Sequence, residues 1–86
     1  MITPTIHLNG TSPDRLMEDY GEVIQAHRKA LELLCSASPN GRDYYPQGPD
    51  AIGQALREHD ERVLRLHQTI GELERIRESI ANRNTR

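Results

Sequence analysis

Residues 41–48 read Gly-Arg-Asp-Tyr-Tyr-Pro-Gln-Gly and hold the densest concentration of chemistry in the chain. Arg42 offers a planar cation that can grip a phosphate or carboxylate through two parallel N–H donors. Tyr44 and Tyr45 supply rings that stack on a base or a sugar. Asp43 adds an acceptor and Gln47 an amide, and the flanking glycines let the backbone approach a ligand closely. Two of the three tyrosines of the chain lie here. The chemistry implied is recognition of a small anionic, nucleotide-like molecule. The competing reading is structural: the tyrosines plug the open end of a helical bundle and Arg42 pairs with Asp43 or with a helix end. No Gly-rich phosphate loop of the P-loop type is present.

Two smaller constellations could add to this set. His7 and Asn9 lie in His-Leu-Asn-Gly-Thr, just before a helix start, where anions bind; turn formation and capping are the plainer role. His27 and His59 both fall on apolar stripes. They could form a neutral pair that fixes register, contact a ligand or bind metal. His67, Asp60 and Glu61 are near in sequence, but no HExxH or cysteine-rich spacing supports a metal, so neither metal nor cofactor is expected. Cys35 reads as a small apolar filler. No Ser–His–Asp or Cys–His arrangement and no paired carboxylates appear, so no enzymatic activity is expected. The expected ligand contacts are Arg42, Asp43, Tyr44, Tyr45, Gln47, His7, Asn9 and His59.

These groups need elements to hold them. Residues 1–10 read as an extended arm, with Ile2, Pro4, Ile6 and Leu8 on one face and an Asn9-Gly10 turn at its end. Helix one spans 12–37, with Thr11 or Ser12 as N-cap, Pro13 in the first turn and Asp14 complementing the dipole. Its stripe runs Leu16, Tyr20, Val23, His27, Ala30, Leu34, a 4-3-4-3-4 seam. Pro39 ends it. Residues 38–49 form a connection that is long for two packed helices. Helix two spans 50–82, with the seam Ile52, Leu56, His59, Val63, Leu66, Ile70, Leu73, continued by Ile76 and Ile80. Residues 83–86 read as a frayed tail.

Folded about the connection, the helices make an antiparallel hairpin in which level residues add to about 87. His27 and His59 are then neighbours, and helix two overhangs the start of helix one by about two to three turns. The arm or a second subunit must cover Leu73, Ile76 and Ile80. The fold class expected is all-α: one domain, a helical hairpin with an extended arm, assembling into a helical oligomer.

Composition supports self-association. The chain has 86 residues, 35% of them apolar, with no Phe or Trp and a single cysteine. A chain this short buries a modest share of its surface and usually needs external support. One cysteine excludes an internal disulfide and fits a reducing compartment. Formal net charge is −2 with both signs interspersed, so nucleic acid is not an expected partner. No apolar run has membrane-spanning length and the first ten residues lack a signal-peptide pattern, so a cytoplasmic location and no membrane partner are expected.

The stretches TPTIHLNGTS (3–12) and NGRDYYPQG (40–48), followed by a helix containing Glu58-His59, resemble a family of short proteins of tailed phages and prophages. The resemblance covers nearly the whole chain and implies a viral or prophage origin. It points to His7, Asn9, Arg42, Tyr44, Tyr45 and His59 as the positions that match the pattern. In size and architecture such a protein is similar to the sponges that sequester host nucleotide immune signals, though no sponge motif matches residue by residue. The function expected is that of an oligomeric, phage-encoded, counter-defensive binding protein for a nucleotide-like ligand. The alternative is a helical adaptor or inhibitor acting through protein–protein contacts.

Overall fold

The computed structural model describes residues 1–84. In chain order it contains α1 (Pro13–Ser36), two short 3₁₀ turns, η1 (Gly41–Asp43) and η2 (Tyr45–Gln47), and α2 (Ala51–Asn84). No strand occurs among the described residues. Capping fixes the start of α1. Ser12 is extended, its Oγ accepts the Arg15 backbone N–H at 3.2 Å, Pro13 fills the first turn and Asp14 lies beside the positive end of the dipole. The helix closes where the Ala37 N–H reaches the Leu33 and Leu34 carbonyls, both at 3.1 Å, ahead of Pro39. The Asp50 carbonyl accepts the first bond of α2, from the Gln54 N–H at 3.2 Å. That helix continues through Arg83 to Asn84, past the expected end at 82. Of the expected frayed tail, Thr85 and Arg86 lie outside the described residues.

The helices pack antiparallel but in a different register, and the α1 seam is corrected: Val23 and Ala30 are exposed, while Leu16, Tyr20, Ile24, His27, Leu31 and Leu34 lie on the covered side. Arg77 bonds to Met17, approaches Gly21, and Glu74 pairs with Arg28. These partners add to 94, 98 and 102 rather than 87. Level residues therefore add to about 98. His27 is level with about residue 71, some twelve residues or about 18 Å from His59, so the expected histidine pair does not form. The overhang is at the opposite end from the one expected. Ser36 is level with about residue 62, which leaves residues 51–61 of α2 without a partner in α1.

The unusual length of the connection follows from this register. The chain must travel back along about three turns of α2 before it enters that helix, a climb of about 16 Å. It does so through consecutive tight turns. The Asn40 Oδ1 accepts the Arg42 N–H at 3.0 Å, Tyr44 N–H reaches the Gly41 carbonyl at 3.0 Å, and Gln47 N–H reaches the Tyr44 carbonyl at 2.9 Å. At Gly48 the backbone takes φ 111 and ψ 167, a region open essentially only to glycine. η2 packs against α2.

The arm is extended, as expected, and lies on a helix. Ser79 Oγ donates to Thr3 Oγ1 at 3.3 Å, and the Arg83 guanidinium donates to the Pro4 carbonyl. The expected apolar face is corrected: Thr3, Pro4 and Ile6 are half-buried, whereas Ile2 and Leu8 are 94% and 98% exposed. A strand in a sheet is held to strict alternation by its pleat. An arm on a helix is not, and here Thr3 finds a hydroxyl partner while the turn closed by Gly10 N–H on the His7 carbonyl throws Leu8 outward.

The result is a thin rod of 61 × 21 × 19 Å with a radius of gyration of 18.8 Å, against about 12 Å for a compact chain of this length. Only Ile24, Ile70, Ile80 and His59 are buried among the described residues. No described helix is long and apolar enough to cross a membrane.

Candidate functional site

The two 3₁₀ turns decide how the loop residues are presented. Their backbone groups bond to one another, which leaves the side chains to face outward. Arg42, Asp43, Tyr45 and Gln47 are exposed, Tyr45 at 75%, while Tyr44 is half-buried. The Arg42 side chain makes no hydrogen bond or ion pair among the described residues, so the alternative in which it is consumed by Asp43 is not what forms. Tyr44 and Pro39 are half-buried, which matches part of the plugging role.

His59 sits in the stretch of α2 that α1 does not reach. It is nonetheless only 7% exposed, and the connection is the segment available to cover it. Neither ring nitrogen hydrogen-bonds to a described residue, and neither is sealed from solvent. His59 therefore retains free donor and acceptor capacity in the stretch of α2 that α1 leaves uncovered. His27 differs: its Nδ1 donates to the Val23 carbonyl of its own helix at 2.8 Å.

The expected site residues thus fall at two poles. Arg42, Asp43, Tyr44, Tyr45, Gln47 and His59 belong to the loop end. His7 and Asn9 belong to the arm, in the turn before α1, whose 24 residues separate the ends by about 36 Å. A single chain does not bring the two sets together. His7 folds back over its own turn, its Nε2 lying 2.7 Å from where a Cβ on Gly10 would stand, so a side chain at position 10 would push the ring aside.

Sequence reasoning missed a second feature. A groove of about 770 Å³ runs between the helices, lined by Met17, Gly21, Ile24, Arg28, Glu74 and Arg77. Its half-buried Arg77 donates Nε–H to the Met17 carbonyl at 3.1 Å and passes over Gly21. Arg28 pairs with Glu74 at 3.3 Å. Both cations are engaged, and Glu18, Glu22 and Glu78 also border the groove, so it is poorly suited to an anion. The signal was Gly21, a glycine in mid-helix. On α2, Glu58 accepts from Gln54 at 3.2 Å. Among the described residues no three His, Cys, Asp or Glu side chains gather in a metal-binding group.

No protein-family model, no curated protein and no solved structure matches this chain.

Proposed function

We propose that the chain is a non-catalytic, self-associating binding protein that sequesters a small anionic, nucleotide-like ligand at its connection. The observation that carries this reading is His59: a polar side chain more than nine-tenths buried, without a described hydrogen-bond partner, in the stretch of α2 beyond α1, on a chain whose loop Arg42 is also unpaired. Arg42 grips phosphate, Tyr45 and the exposed edge of Tyr44 stack on a ring, and His59 supplies a hydrogen bond from below. Asp43 and Gln47 select among sugar and base edges. His7 and Asn9 join from a second copy, since they lie at the far pole of their own chain. The resemblance to short phage and prophage proteins supplies the setting: a viral product acting in the host cytoplasm as a counter-defence sponge.

A thermal-denaturation screen against cyclic oligonucleotides and ADP-ribose derivatives tests this. A ligand that binds only the folded state stabilises it by about 2.7 kcal/mol at 100 times its Kd. The reading requires at least one such shift, reduced in Arg42→Ala. No shift across the panel, with the protein folded, contradicts it. A stoichiometric host protein partner, retained by Arg42→Ala and Tyr44→Ala, favours the adaptor or inhibitor reading instead.

A further inference from the structure

The seam that packs on α2 is not the only 3-4 repeat on α1. Val23, Ala26, Ala30, Leu33 and Ala37 recur at spacings of 3, 4, 3 and 4 and share the outer face of the helix. All five are exposed, Val23 at 41% and Leu33 at 57%, and no charge interrupts them. Three alanines in five let a second helix approach at the close end of the usual 8–10 Å range.

The occupant is written into the order of large and small residues. Run antiparallel against itself about Ala30, the stripe sets Val23 on Ala37 and Ala30 on Ala30, with Leu33 within one residue of the level of Ala26. Each large side chain meets a small one, as a two-fold interface requires of a single patch. A parallel copy would stack Val23 on Val23 and Leu33 on Leu33. Surface area points the same way. The chain exposes 6523 Å², roughly a quarter more than the ~5,200 Å² of a compact monomer of its mass. That excess is larger than the ~800 Å² per partner that a standard interface buries.

We infer that two copies of the chain pack antiparallel through this outer face of α1, which brings the arm of each copy level with the tyrosine-bearing connection of the other. The second part follows from the register. The arm lies beside Ser79 and Arg83, level with about residues 15–19 of its own α1. The connection runs back past residues 51–61 of α2, which the two-fold sets level with about residues 13–23 of the partner's α1. His7 and Asn9 of one copy, just before α1, thus come near the level at which the other copy's connection enters α2, while His59 stays level with about residue 21 of the partner's α1; this composite site of arm and connection rests on the ligand-binding reading above.

The test measures solution mass and orientation. Sedimentation of the full chain should give a mass at least twice 9.8 kDa. Ala30→Glu, exposed and so harmless to the hairpin, should halve it at unchanged helix content, and mixing Ala30→Glu with Ala30→Lys should restore it. In a Cys35→Ser background, Val23→Cys mixed with Ala37→Cys should cross-link on oxidation, while Val23→Cys alone should not. A monomeric wild type, an unchanged mass for Ala30→Glu, or Val23→Cys linking to itself overturns the pairing. A dimer of this geometry that binds no ligand keeps the pairing and removes the ligand reading. Full-strength ligand binding by monomeric Ala30→Glu keeps the ligand reading and removes the composite site.

Discussion

Arg77 reaches across the hairpin to lie over Gly21, its Nε 3.4 Å from where a Cβ on that glycine would stand, and donates to the Met17 carbonyl one turn earlier. This contact joins the two helices at one defined level, and it is the most specific cross-helix bond in the hairpin. Arg28–Glu74 adds a pair with both side chains about half exposed, which contributes at most about 1 kcal/mol.

The space at Gly21 accepts one carbon, at ordinary van der Waals distance, and no more. Gly21→Ala is therefore expected to stabilise the hairpin by about 0.5–1 kcal/mol, because alanine is the better helix former. Gly21→Leu should destabilise it by displacing Arg77. Urea unfolding followed by circular dichroism reads both signs.

Removing the cation separates the bond from the packing of its stem. Arg77→Met keeps most of the apolar stem over α1 but deletes the donor to Met17. A loss of roughly 1.5 kcal/mol is expected, the scale of a partly buried hydrogen bond from a charged group. The Arg28→Gln variant should change stability by under about 1 kcal/mol. Comparing their urea midpoints at equal slope checks the ranking.

Both helices were legible, to within two residues at each end, because the 3-4 spacing, the Ser12 cap and Pro39 all agree. The register was not. Sliding α2 by eleven residues is a displacement of just over three whole turns, so the same stripe still faces α1. Seam phase cannot separate the two alignments. The short connection favoured by the expected alignment is replaced by a longer one whose own tight turns satisfy its backbone. The loop residue types that could hold a ligand were plain from composition. The burial of His59 was not, since it depends on α1 ending three turns short of the start of α2.

Gly48 sets the exit of the connection. At φ 111 and ψ 167 any side chain is strained, so Gly48→Ala should cost about 1–3 kcal/mol. The variant should also lower ligand affinity, since Tyr44 and Tyr45 hang from the turns it closes. Thermal melting reads the first effect and titration the second.

Ile80 is the one fully buried side chain among the described residues, and the arm bonds to the helix on either side of it, at Ser79 and Arg83. Ile80→Val should cost about 0.5–1.5 kcal/mol and Ile80→Ala about 2–5 kcal/mol. In a chain with so small a core the alanine variant is expected to lose cooperative melting altogether. An Ile80→Ala protein that melts at the wild-type temperature would show that the arm does not cover this position as described.

The central claim concerns the loop, and titration calorimetry of the ligand giving the strongest thermal shift tests it most directly, comparing wild type with Arg42→Ala and His59→Ala. The expected result is a loss of affinity of about 10-fold or more for Arg42→Ala at unchanged melting temperature, the scale of one charge-assisted contact, with a loss for His59→Ala as well. Wild-type affinity in both variants would contradict a binding site at the connection.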